Sequence, residues 1–168
     1  MRNTLLILSA AVLVTACTPP KPAAPATSVV RYSAEAEFDS VRDDLKNAIL
    51  AKGLVIDNTQ FIAKMLGRTG KDVGSTKPIF ADDRGQAFSF CSATISRMTT
   101  EADAHNIAFC PYSLVVYSPA TEPKKVYVAY RRPVLNEGSE AAKAVLKEVE
   151  ALLDGIARDA LRLKDTVK

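Results

Sequence analysis

The C-terminal segment constrains the fold more than any other part of the chain. From about Ser139 to Lys164, the residues Ala142, Val145, Val149, Leu152, Ile156, Ala160 and Leu163 recur every three or four positions. That spacing predicts one long helix with a single apolar stripe. A stripe of this kind must be covered, and the face of a β-sheet is the natural cover.

The residues upstream supply such a sheet. Ser28 to Ser33 reads as a first strand, and Phe38 opens an amphipathic helix with Asp39 or Ser40 as its N-cap. Its inward positions are Val41, Leu45, Ala48 and Ile49, and Gly53 is placed to end it. Leu54 to Ile56 forms a short strand, and Thr59 to Leu66 a second helix with Phe61, Ile62, Met65 and Leu66 on one face. After the polar loop Gly67 to Pro78, Gln86 to Cys91 alternates, with Phe88 and Phe90 on one side. Ser92 or Thr94 can cap a short helix there. Tyr112 to Tyr117 and Val126 to Arg131 are strands separated by a turn-rich segment, which predicts an antiparallel hairpin. The sum is an α+β, two-layer domain with a mostly antiparallel sheet and a long C-terminal helix. No internal repeat is present.

The first sixteen residues have a different character. Arg2 precedes the apolar run Leu5 to Val14, which in a helix spans about 15 Å, roughly half a bilayer core. This is the pattern of a secretory signal peptide rather than a transmembrane anchor. The sequence Val14-Thr15-Ala16-Cys17 resembles the bacterial lipobox, with valine where leucine is commonest. That resemblance implies a diacylglycerol on the Cys17 thiol and an acylated amine, with palmitate-like chains. At about 0.8 kcal/mol per buried methylene, two or three chains hold firmly where one does not. Thr18 to Thr27 is rich in proline and alanine, an extended tether without core-forming residues. The expected organisation is therefore a signal peptide over 1–16, a lipidated tether over 17–27 and one domain over 28–168. The resemblance further implies a periplasm-facing envelope protein anchored to a membrane. Because Thr18 is not aspartate, the outer membrane is favoured.

Composition narrows the partners. Hydrophobic residues make up 48% of the chain and charged ones 24%, which suits a globular domain and argues against disorder. The net charge of +3 falls to +2 without Arg2, too little to recruit a nucleic acid. The partners expected are the membrane, a small molecule or a protein, with self-association into a homo-oligomer open.

Three segments, MLGRTGKDVG (Met65 to Gly74), FSFCSATISRM (Phe88 to Met98) and NIAFCPYSLVVY (Asn106 to Tyr117), stand with a closing VYVAYRRP (Val126 to Pro133). Together they resemble the domain-of-unknown-function family 302 (DUF302) over most of Phe38 to Pro133. The resemblance implies a TATA-binding-protein-like class of fold: a curved antiparallel sheet with helices packed on one face. It brings no established activity, and fold alone does not carry function.

No catalytic constellation stands out. With Cys17 consumed by lipid, Cys91 and Cys110 are the remaining thiols. Three readings are open for them: a structural disulfide favoured by an oxidising compartment, two unpaired buried cysteines, or thiols for redox or ligand capture. Under the last, Cys91 lies just before a helix start whose dipole can lower its pKa. His105 is the sole histidine, and with Asp103 and the two cysteines it lacks the close ligand pairs of zinc sites, so no metal and no cofactor is expected. Gly67-Arg68-Thr69-Gly70-Lys71 fails the phosphate-loop pattern because its glycines are too close and Asp72 follows the lysine. Arg68 and Arg97 are candidates for binding a small anion. Ser89, Ser92 and Ser96 have no nucleophile elbow. Asp43-Asp44 and Asp82-Asp83 read as solvated charge, Lys124-Lys125 and Arg131-Arg132 as protective strand-edge charge, and Tyr112, Tyr117, Tyr127 and Tyr130 as packing. The function expected is a non-enzymatic binding domain, with thiol chemistry as the alternative.

Overall fold

Strand β1 (Val29–Glu35) alternates between half-buried and exposed positions and pairs along its whole length with β5 (Lys125–Arg131). The computed structural model describes residues 27–163; the signal segment, Cys17 and nearly all of the tether lie outside them, as do residues 164–168. After β1 come α1 (Phe38–Ala51), β2 (Val55–Gln60), α2 (Ile62–Thr69), β3 (Phe80–Cys91) and α3 (Ala93–Ala102). A 3-10 turn (Ala104–Phe109) leads into β4 (Tyr112–Pro119), then β5 and the long α4 (Glu140–Ala160). The five strands form one open antiparallel sheet in the order β1-β5-β4-β3-β2. This is the α+β architecture expected, with helices packed on one side of the sheet.

The core explains why. Phe88 and Phe90 from β3, Leu114 and Val116 from β4, and Val126 and Val128 from β5 are fully buried. They meet Leu45 and Ile49 of α1 and Val149 and Ile156 of α4 in one cluster. Ser139 caps α4 by accepting the Ala142 amide at 3.1 Å, and Ser92 caps α3 by accepting that of Ile95 at 3.3 Å.

Several boundaries differ from those the sequence predicts. Glu37, not Asp39 or Ser40, precedes α1, and it makes no side-chain cap. Strand β2 runs on to Gln60 through an irregularity at Asp57, so α2 starts later than expected. Its inward residue is Ala63, while Phe61 and Met65 face outward. The cause is close approach: a Cβ on Gly85 of β3 would lie 3.0 Å from the Ala63 Cβ, so only small residues fit between α2 and β3. Strand β3 begins at Phe80 and reaches Gly85 through a break in register in which Asp82 takes φ +50°. On α4 the deepest positions include Leu146, Leu153 and Ala157 rather than Val145 and Leu152.

Gly53 takes φ +73° where the chain leaves α1, and its amide donates to the Leu50 carbonyl at 2.9 Å. No atom would obstruct a Cβ there, so the strain of a substitution is purely conformational. Gly53→Ala is expected to cost about 1 kcal/mol in a urea melt; no loss would show that the turn relaxes freely.

Candidate functional site

Two polar features stand close together at one end of the sheet. The first is the thiol pair. Phe90 pairs with Tyr112 across β3 and β4, which brings Cys91, at the end of β3, beside the chain entering β4 at Cys110. Both cysteines are free, Cys91 exposed and Cys110 half-buried. The disulfide, one of the three readings open from the sequence, is not formed. The Cys110 thiol donates to Ser96 Oγ at 3.5 Å, and Ser96 in turn donates to Tyr112 Oη at 3.4 Å.

Although Cys91 as a whole is exposed, its thiol is pushed above its ordinary range, first by the partial loss of water around the sulfur, then by the neighbouring Cys110 thiol and the Asp57 carboxylate. This reverses the lowering expected from the helix dipole. Ser92 stands between Cys91 and α3 and accepts the amide of Ile95, so that amide is not available to a thiolate. Alkylation of Cys91 by iodoacetamide at pH 7 is accordingly expected to be slower than that of an unstructured cysteine, and to accelerate through pH 9. A fast reaction at neutral pH would contradict this electrostatic picture.

The second feature is a cleft of about 450 Å³ where β5 leaves the sheet and β4 enters it. Gln60, Ser89, Cys110, Tyr112, Ser113, Arg131 and Arg132 line it, with Leu153 of α4 at one side. Arg131 has an exposed side chain and no ion pair among the described residues. Arg132 Nε lies 3.3 Å from Glu150 Oε1, yet this buried nitrogen lacks the alignment of a hydrogen bond. The distance alone overstates the pairing, because a donor that misses its acceptor's direction is only weakly satisfied. Two guanidinium groups, two serine hydroxyls and an amide around one space suit an oxygen-rich anion. Nothing in this lining joins a base to a nucleophile.

The candidate residues named from the sequence are scattered. Arg68 is exposed on α2, and Arg97 is exposed on α3, where it pairs with Glu101 at 2.5 Å. Neither lines the cleft or meets the other. His105 is exposed on the 3-10 turn, and the described residues contain no cluster of three metal-ligating side chains. Arg131 and Arg132, which the sequence suggests are edge charges, are the cations at the cleft. The legible signal is a doubled arginine followed by Pro133 at a strand end.

A second polar cluster ties α4 to the sheet. Asp154 accepts from Tyr32 Oη, from Tyr130 Oη at 3.1 Å and from Arg158 Nε at 2.7 Å. Arg158 also donates to Tyr32 Oη at 3.0 Å and lies 4.6 Å from the centre of that ring. These groups satisfy one another, which is the signature of a clamp rather than of a vacant site.

No family profile matches the chain, and no curated protein matches it either. Among solved structures, the chain is similar to the crystal structure of an uncharacterized conserved protein, DUF302, from Bacillus stearothermophilus. The identity is 14%, the TM-score is 0.64, and the match covers 80% of this chain and 99% of that one. At that identity the likeness speaks for architecture alone, and the chain has a DUF302-like fold.

Proposed function

We propose that this chain is a lipid-anchored envelope protein whose sheet-end cleft binds a small anion without chemically changing it. The observation that carries the binding half is the convergence of Arg131 and Arg132 on a space shared with Ser89, Ser113 and Gln60. Carboxylates and phosphates match the fork of a guanidinium, and hydroxyls and amides complete their remaining lone pairs. The anchoring half rests on the lipobox-like Val14-Thr15-Ala16-Cys17 and the Pro/Ala-rich tether after it. No helix among the described residues is long and apolar enough to cross a membrane.

Two measurements test the two halves separately. Calorimetric titration with inorganic phosphate and with succinate is expected to give saturable binding to at least one. Arg131→Ala should weaken it at least about tenfold, the loss of one charged hydrogen bond, and Arg68→Ala should leave it unchanged. Binding indifferent to Arg131 would remove the cleft from the proposal. For the anchor, Cys17→Ala should shift the protein from the membrane to the soluble or unprocessed fraction. A variant that still fractionates as the parent does would end the lipid reading.

The proximity of Cys91 and Cys110 favours a second reading, thiol chemistry. Joining the two thiols releases two protons and two electrons, which a disulfide-bearing oxidant of the envelope would accept. The discriminating observation is the thiol count of protein taken from its native compartment without reductant. Two free thiols favour the binding reading, and none favours the redox one.

A further inference from the structure

The outward face of α2 has an order that neither the core nor the cleft accounts for. Lys64, Met65 and Arg68 lie on one side of the helix, and Phe61, the capping residue just before it, stands one turn ahead of Met65, so the four follow the spacing i, i+3, i+4, i+7. All four are exposed, Phe61 by 54% and Met65 by 43%. Lys64 and Arg68 form no ion pair among the described residues. The turn after α2 adds exposed Lys71 and Val73, with exposed Asp72 between them, which leaves the face cationic by two charges. Asp82 and Asp83 instead line a depression with Gly67 and Gly70, on the other side of the helix. A large apolar pair framed by unpaired cations is the composition of a surface that lies in a headgroup layer. There the aromatic and thioether groups enter the acyl boundary, and the cations meet phosphates.

We infer that this face of α2 docks on an anionic lipid bilayer, so that the domain lies against the membrane in a fixed orientation instead of swinging on its tether. The inference rests on the anchoring proposed above. Charge complementarity selects the occupant, since juxtaposed Lys and Arg each contribute about 1 kcal/mol on an anionic surface. The reach of the chain permits it. Gly85, against which α2 packs, is level with Ser33 and three strands away from β1. That places α2 about 20 Å from Val29 in the plane of the sheet. Twelve residues separate Cys17 from Val29, and a chain of that length can reach at most roughly 37 Å at about 3.1 Å per residue. An anchor on Cys17 therefore leaves enough chain for α2 to touch the same bilayer.

The chain contains no tryptophan, so Phe61→Trp installs a single fluorescent reporter at the centre of the face. Lipidated protein carrying this change, purified from the producing cells, is reconstituted into vesicles containing brominated phosphatidylglycerol, or brominated phosphatidylcholine alone. Quenching and a blue shift are expected in the anionic vesicles and not in the neutral ones. Adding Lys64→Glu and Arg68→Glu should lower the docked-to-free ratio by at least about 25-fold, fivefold for each charge lost. Far-ultraviolet circular dichroism checks that the variants are folded, and Met65→Gln gives an independent, uncharged loss of quenching. Protein that floats with the vesicles while its tryptophan is unquenched overturns docking and leaves anchoring intact. Equal quenching in both lipids, indifferent to charge reversal, also overturns it. A blue shift that depends on protein concentration without vesicles assigns the face to a second copy and overturns it again. Protein that fails to float removes the anchor and docking together.

Discussion

Phe88→Ala is expected to cost about 3 to 5 kcal/mol, enough to leave little of the folded state if total stability is near the low end of the usual 5 to 15 kcal/mol. Phe88 is completely buried on β3, an interior strand, between Thr59 of β2 and Leu114 of β4. The Lys46 ammonium lies 5.7 Å from the centre of its ring. Truncation removes apolar area from water-free packing and also leaves a void, because strands fixed by backbone hydrogen bonds cannot close in. Phe88→Leu keeps most of the volume and should cost less than half as much. In urea melts, both should move the midpoint without changing the slope, since the folded surface is otherwise unchanged. A loss below about 1 kcal/mol for the alanine variant would mean that the core around β3 is loosely packed, contrary to the burial described.

That core is readable in the sequence to the extent that it follows a period. The alternation of Phe88 and Phe90, the β4–β5 hairpin and the existence of the last helix all come from local patterns. The errors arise where two elements compete for the same residues. On α4, counting by threes and fours selects Val145 and Leu152, but the helix packs on the sheet and also against α1 and α3. Contact on several sides buries a wider arc, which takes in Leu146, Leu153 and Ala157. On α2, periodicity alone turns the apolar residues inward. The close contact of Ala63 with Gly85 decides otherwise, and a contact between residues so far apart in sequence leaves no local trace. Asp57, Asn58, Asp82 and Asp83 have the character of turn residues, yet they lie in strands, each at an irregularity that accommodates them.

The candidate site is less legible for the same reason. Arg131 ends one strand and Arg132 follows it, Ser113 is the second residue of another, and Gln60 and Ser89 come from two more. Each alone is an ordinary polar residue; only the strand order β5-β4-β3-β2 assembles them. The cysteines stand out in the sequence because they are rare. Their electrostatics do not, since the raising of the Cys91 pKa depends on burial and on Cys110 and Asp57, brought near by pairing.

Asp154 shows what a residue unmarked by any motif can do, and Asp154→Ala is expected to lower stability by about 2 kcal/mol at pH 7. The side chain is about one-third exposed, so the strength of its charged hydrogen bonds is discounted for solvent screening. The larger part of the loss comes from Tyr130, which is only 3% exposed and whose hydroxyl donates to Asp154. Without the carboxylate this buried donor has no partner. Burial pushes the Tyr130 hydroxyl far above its usual range, and the charge and hydrogen bond of Asp154 push the same way, so it stays protonated and able to donate. On Asp154 burial acts to raise the pKa, but the hydrogen bonds from Tyr32, Arg158 and Tyr130, with the Arg158 charge, outweigh it and hold the carboxyl below its ordinary 3.8. A carboxylate with a lowered folded-state pKa contributes stability that is fully present above its unfolded value and is lost as pH falls through the folded one. The gap between the parent and Asp154→Ala should therefore be constant from about pH 7 to pH 5 and shrink below about pH 4. Asp154→Asn keeps an acceptor for Tyr130 without the charge and should fall between the two. Thermal melts of the three proteins across that range check the sign: a gap that widened toward acid would mean that Asp154 is stabilised as the neutral acid, and the clamp would have to be redrawn with the carboxyl as a donor.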